Sequence, residues 1–324
     1  MRRFRAAPAA VLLLLAVLAA CSGVPDGPGD GQAAGRPTGR TTGPTTGPAA
    51  DPPSGPPKGA TTGPTTGSPT RPTGGPTTGR PTGGSTSRPA PRTRWQPRPG
   101  LAWQWQLDGK VDPSVDVPVY DIDGFENSAA AVARLHRDGR KVICYINVGA
   151  WEDFRPDRDD FPRSVLGEPN GWHGERWLDI RRVAVLRPLM ERRFDMCRDK
   201  GFDAVEPDLM EGYANDTGFP LTPDDQLRYN RMIAAIAHER GLAVGLKNDL
   251  AQIPRLVGHF DFAVNEECAE FDECALLTPF VAAGKAVFHV EYTEPTAGFC
   301  PQARALRLSS MKKNLELDVW RRPC

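Results

Sequence analysis

Between Ala102 and Trp320 the chain repeats one pattern: a short apolar segment ending in polar side chains, then a stretch with helical periodicity. The apolar segments are AWQWQL (102–107), VPVYDID (117–123), KVICYINVG (141–149), FDAVEPD (202–208), AVGLKND (243–249), FDFAVNEEC (260–268), AVFHVEY (286–292) and LELDVW (315–320). The helical stretches between them include 128–140, 186–201 and 222–241. The last of these has Thr222 as N-cap, Pro223 at the first helical position and Gly241 as a stop. Strands joined through helices run parallel. Eight such units within residues 99–324 predict an α/β protein closed into a (β/α)8 TIM barrel rather than an open doubly wound sheet. No GxGxxG follows the first strand and no P-loop occurs, so nucleotide chemistry has no support.

Everything upstream differs in kind. Residues 1–20 combine a basic start (MRRFR) with an apolar run from Ala6 to Ala20, which predicts a secretory signal peptide. The ending LAAC (18–21) resembles a bacterial lipobox, which makes Cys21 the lipidated first residue of an exported protein anchored to the cell membrane. The competing reading is an ordinary signal peptide with an incidental cysteine. Residues 21–98 are a Pro/Thr/Gly-rich tract with almost no large apolar side chains, too poor in buriable surface to order itself. It predicts a disordered tether, on the order of 100–200 Å when extended.

Lys+Arg and Asp+Glu number 40 each, so no net charge draws the chain to nucleic acid. Six cysteines follow Cys21, an even number that in an exported domain predicts disulfides. Cys268 with Cys274 and Cys300 with Cys324 close local loops. Cys144 with Cys197 is the third pair, with a buried free thiol at Cys144 the equal alternative. No CxxC or HxxxH spacing supports zinc. No metal or cofactor is expected, and the expected state is a monomer.

In such a barrel chemistry gathers at the C-terminal strand ends. There the sequence places Trp103 and Trp105, Tyr120, Asp121 and Asp123, Tyr145 and Asn147, Glu206 and Asp208. It continues with Lys247 and Asn248, Glu266 and Glu267, Glu291 and Tyr292, and Asp318 and Trp320. Aromatics, amides and carboxylates in this density suit sugar binding and glycosidic cleavage, where two carboxylates flank the scissile bond. There is no GxSxG elbow, and no two histidines fall at ligand spacing. The substrate-binding set predicted is Trp105, Tyr120, Asp121, Asp123, Tyr145, Asn147, Glu206, Lys247, Asn248, Glu291 and Tyr292.

In this order, WQWQL, VYDID, KVICYINVGAWE, GFDAVEPDLMEGY, GLKND and NEECAEFDEC resemble the signature segments of glycoside hydrolase family 114, the endo-α-1,4-polygalactosaminidase-like proteins. The resemblance spans residues 100–324 and none of the tether. It implies a TIM barrel that cleaves α-1,4-linked galactosamine-rich polysaccharide with retention. It also implies a catalytic Asp after the fourth strand and a catalytic Glu after the sixth, here Asp208 and Glu266. Alternation along a strand independently puts Glu206 and Asp208 on one face, Glu206 deeper. It sets Glu266 and Glu267 on opposite faces without choosing between them. Asp208 is assigned as nucleophile and Glu266 as acid/base, with the exchanged roles open. A carboxylate-rich mouth also suits the ammonium groups of deacetylated galactosamine. Two other readings compete: a non-catalytic carbohydrate-binding lipoprotein on the same barrel, and a glycosidase for another amino-sugar polymer.

Overall fold

Eight parallel strands present alternate side chains to two apolar layers, which is why they close on themselves with helices outside. The computed structural model describes residues 94–324; the expected signal peptide, the Cys21 lipidation site and the tether up to residue 93 lie outside the described residues. The barrel strands are β1 (Trp103–Gln106), β2 (Val119–Asp123), β3 (Lys141–Asn147), β7 (Ala204–Asp208), β8 (Ala243–Lys247), β9 (Phe262–Glu266), β10 (Val287–Glu291) and β11 (Ser309–Lys313). They pair in that order, each parallel to the next. Trp103, Val119, Ile143, Phe262, Phe288 and Met311 fill the interior, with the Trp103 and Phe288 rings 4.9 Å apart. The outer faces pack beneath α1 (Ala129–Arg137), α2 (Val183–Lys200), α3 (Pro223–Glu239), α4 (Ile253–Leu256), α5 (Thr278–Ala282) and α6 (Thr296–Ala305). The capping box expected for α3 is present: Thr222 and Asp225 exchange side-chain to backbone bonds.

The eighth strand is a correction. LELDVW forms a loop, and SSMKK (309–313) forms β11 instead. SSMKK reads as polar because its buried lysine is invisible in a hydropathy pattern: Lys313 Nζ donates to the carbonyls of Asp318 and Trp320 at 2.6 and 2.7 Å. That loop and the antiparallel β12 (Arg321–Pro323) cover the seam between β11 and β1. Across the seam, Trp103 Nε1 donates to Ser309 O at 2.8 Å, and Gln104 Nε2 to Val319 O at 2.8 Å.

The tether also ends earlier than residue 98. Trp95 packs 6.4 Å from the Phe262 ring and Pro97 O accepts from Ala286 N at 2.9 Å, so residues 94–98 belong to the barrel base. Cys268–Cys274 and Cys300–Cys324 pair as read from the sequence, and of the two alternatives left for Cys144 the structure has the disulfide, Cys144–Cys197. Cys268, Cys274 and His289 approach one another, but both sulfurs are spent in the disulfide and offer no thiolate to a metal. Among the described residues, no helix is long and apolar enough to cross a membrane.

Between β3 and α2 the chain inserts a three-stranded antiparallel sheet: β4 (Ala150–Glu152), β5 (Leu166–Pro169) and β6 (Glu175–Leu178). Two buried arginines fasten it to the barrel. Arg155 bonds Asp123 at 2.7 Å and Glu152 at 2.8 Å. Arg193, from α2, forks onto Asp157 at 2.7 and 2.9 Å and donates to Asn147 O at 2.6 Å. Breaking a buried pair strands its partner. Arg193→Met is therefore expected to lower unfolding free energy by about 3–5 kcal/mol in urea titration; a loss under about 1 kcal/mol would mean that the guanidinium does not fasten the insertion.

Candidate active site

Asp208, Lys247 and Glu266 are the last residues of β7, β8 and β9, and all three point to the barrel axis. Immediately after each one the chain turns through left-handed backbone: Leu209 (φ 57°), Asn248 and Asp249 (φ 48° each) and Glu267 (φ 60°). Non-glycine residues in this region cost on the order of 1 kcal/mol each, and such strain collects where function fixes geometry. The turns have local supports. Leu209 N donates to Asp208 Oδ1 at 2.8 Å, Asp249 N to Glu211 Oε2 at 2.8 Å, and Glu266 N to Asn248 Oδ1 at 3.0 Å.

Lys247 is the hub. Its side chain is 4% exposed, and Nζ lies 2.7 Å from Asp208 Oδ1, 3.0 Å from Glu266 Oε2 and 3.5 Å from Glu206 Oε1. The Trp105 ring lies on another side, its centroid 5.1 Å from Nζ. Burial disfavours the ammonium, but the three carboxylates overcome it and hold Lys247 well above the ordinary lysine range. Asp208 reverses its own burial penalty in the same way. The Lys247 charge, with hydrogen bonds from Lys247, from Tyr145 Oη at 2.8 Å and from Leu209 N, holds it below the usual carboxylate range. Glu266 accepts from the Tyr292 hydroxyl and from Asn248 Nδ2.

These groups line a cleft of about 230 Å³ at the C-terminal mouth, together with Trp105, Glu175, Trp172 and the Leu315–Leu317 rim. A neighbouring lobe adds Glu211, Glu267, Phe271 and Glu273. Of the residues singled out in the sequence, the cleft brings together Trp105, Tyr145, Asp208, Lys247, Asn248, Glu266 and Tyr292. Asp121 and Glu206 lie beneath it, fully buried.

Besides Asp121 and Glu206, four predicted binding residues do not reach the cleft. Tyr120 faces outward, and its hydroxyl donates to Val115 O at 2.6 Å and Asp112 O at 2.9 Å. Asp123 is spent on Arg155 and on the backbone N–H groups of Phe125 and Glu126. The Asn147 side-chain oxygen Oδ1 accepts from the backbone N–H groups of Gly149 and Ala150, capping that turn. Glu291 faces outward, bonded to His289 at 2.7 Å and Ala269 N at 2.7 Å. Alternation forbids adjacent Tyr120 and Asp121, or Glu291 and Tyr292, from both facing inward; only knowledge of the facing set decides which one does.

Sequence reading missed Trp172 and Glu175. They come from the inserted sheet, whose residues carried no barrel periodicity. Trp172 is 56% exposed, which is unusual for a tryptophan away from a binding surface. Burial raises Glu175, and Asn170 Nδ2 orients it at 2.8 Å.

Lys247→Met leaves three carboxylates without their cation. The depressed Asp208 contributes stability above its unfolded pKa, near 4, and loses it as pH falls through the folded value. The variant is therefore expected to lose about 3–5 kcal/mol at neutral pH, with the gap to wild type narrowing below about pH 4. Thermal unfolding across pH 3–8 checks this; a gap that does not change with pH would contradict the assigned charges.

Residues 84–324 match the model of Glycoside-hydrolase family GH114. Among solved structures, Aspergillus fumigatus Ega3 in complex with galactosamine is similar at 40% identity with a TM-score of 0.68, covering 72% of this chain and 98% of that one. The glycoside hydrolase domain of PelA from Pseudomonas aeruginosa shares the fold at 14% identity with a TM-score of 0.54, over 68% and 97% of the two chains. Comparison with curated protein sequences returns no significant match. The family match over most of the chain, on a barrel whose strand ends carry this cleft, places the chain in glycoside hydrolase family 114.

Proposed function

We propose that the protein is an endo-acting glycoside hydrolase that cleaves α-1,4-linked, galactosamine-rich polysaccharide by a retaining two-carboxylate mechanism. The observation that carries this is the shared contact of Asp208 and Glu266 with one ammonium, at 2.7 and 3.0 Å. Their nearest oxygens cannot be farther apart than those two lengths laid end to end. That is shorter than the ~6.5–9.5 Å an inverting pair needs to admit water, and it suits the ~5–5.5 Å of a retaining pair.

Asp208, kept ionised by Lys247, attacks the anomeric carbon while Glu266 delivers its proton to the departing oxygen. Water then enters; Glu266 takes one of its protons as the oxygen displaces Asp208, and both groups return to their starting states. The assignment of roles rests on environment. Asp208 is the more enclosed and the more strongly paired, whereas the Glu266 side chain is 25% exposed and opens to the cleft. Tyr292 aims Glu266 and Tyr145 aims Asp208.

The substrate reading draws on the cleft and on the similar structure that carries galactosamine. Glu175, Glu211, Glu267 and Glu273 add negative charge around the pair, and Trp172, Phe271 and Tyr292 offer faces for sugar rings. Deacetylated galactosamine carries an ammonium that such a cleft attracts. The N-terminal LAAC sequence and the Pro/Thr/Gly tract support export, lipidation at Cys21 and display of a monomeric barrel on a tether outside the cell membrane.

Reducing-end release from a panel of amino-sugar polymers tests the reading. Wild type is expected to prefer deacetylated over fully acetylated α-1,4-galactosamine polymer, and Asp208→Asn and Glu266→Gln each to lower turnover by roughly 10²–10⁴-fold while still binding. Preference for the fully acetylated polymer would overturn the charge argument, and undiminished turnover in either variant would overturn the catalytic assignment.

A further inference from the structure

Directly beneath the catalytic group lie two carboxyls that no step of the proposed reaction uses. Asp121 on β2 and Glu206 on β7 both point into the barrel, and each is 0% exposed. No other protein group donates a hydrogen bond to any of their four oxygens. The two carboxyls neighbour each other, and they can bond to one another only if one of them carries a proton.

The charges around them constrain how many protons are present. Lys247 reaches them from β8, 3.5 Å from Glu206 Oε1, but is already shared with Asp208 and Glu266. Tyr292 lies on the Glu266 side. From β3 the inward Tyr145 is committed to Asp208, and β1 offers only the Trp105 indole. Two ionised carboxylates here would bury uncompensated charge, at a cost of several kcal/mol per ion. Two neutral acids would leave Lys247 with no anion below it. One proton on the pair satisfies both constraints, as in like-charged dyads elsewhere.

We propose that Asp121 and Glu206 form a positioning pair that shares one proton, carries one negative charge, and anchors the Lys247 ammonium from below while charge moves between Asp208 and Glu266. The inference rests on the reading of those two residues as the catalytic carboxylates. When Asp208 becomes an ester, its negative charge is lost, and Glu266, having given its proton to the leaving oxygen, becomes negative. The total is unchanged, but the charge crosses from one side of Lys247 to the other. An ammonium tied only to those two would swing with it. A fixed charge beneath keeps Nζ central, so that Asp208 and Glu266 hold their spacing through both half-reactions.

Amide replacements separate charge from shape. Asp121→Asn or Glu206→Gln alone leaves an amide facing a carboxylate, with the single charge intact, and each is expected to lower kcat by only about 3–5-fold with KM little changed. The double variant D121N/E206Q keeps the hydrogen bond but removes the charge; kcat is expected to fall roughly 10–100-fold with KM little changed. Wild-type kcat in the double variant, or a single variant falling as far as the double, would overturn the proposal.

Thermal stability tests the proton separately from turnover. The folded pair keeps a proton that both side chains release above about pH 4 when unfolded. Its contribution to stability is thus full below that pH and is lost as pH rises toward the raised folded value. The Asp121→Asn variant carries no such shared proton. Its Tm relative to wild type is expected to rise steadily from pH 5 to 8; a difference that is constant or falls over that range would overturn proton sharing. Activity surviving in Asp208→Asn would instead defeat the catalytic assignment, and the Tm series would still decide whether the pair holds a proton.

Discussion

A single buried ammonium organises the mouth of this barrel. Lys247 sits where β7, β8 and β9 converge, in contact with three carboxylates, and the Trp105 ring covers another face. Burying a cation with no anion beside it is prohibitive, and so is crowding carboxylates together with no cation among them. Together they are stable, and the compromise fixes the spacing of Asp208 and Glu266. The surrounding architecture can be understood as whatever keeps those strand ends from relaxing.

Three features do so. The left-handed turns after Asp208, Lys247 and Glu266 aim each side chain inward, and each is held by a local hydrogen bond. The inserted sheet is fastened by Arg155 and Arg193 and supplies Trp172 and Glu175 to the rim. The 314–320 loop, tied down by the buried Lys313, closes the seam between the last and first strands while offering Leu315 and Leu317 to the cleft. Each couples a sequence-distant segment to the catalytic mouth, which is why a cleft of this kind needs a whole barrel behind it.

Much of this was legible in the residue order, for identifiable reasons. Seven of the eight barrel strands declared themselves through apolar segments, and α3 through Thr222, Pro223 and Gly241. Asp208 and Glu266 stood at strand ends; alternation put Asp208 on one face with Glu206, and the family segments alone chose Glu266 over Glu267. What stayed hidden depended on partners distant in sequence. Asp123 looked free because Arg155, its partner, lies 32 residues on. Tyr120 and Glu291 looked available because a strand's inward face cannot be read from one strand alone. β11 was missed because a lysine satisfied by backbone carbonyls reads as exposed, and residues 94–98 because a lone Trp95 in a Pro-rich tract gives no periodicity.

The central claim is that one lysine holds Asp208 and Glu266 at a separation too short to admit a water for direct displacement. The stereochemistry of the first product tests it most directly. Proton NMR of a deacetylated α-1,4-galactosamine oligomer during the first minutes of digestion should show the α-anomer of the new reducing end appearing before mutarotation. Initial release of the β-anomer would contradict the account, because inversion requires the wider spacing that Lys247 forbids.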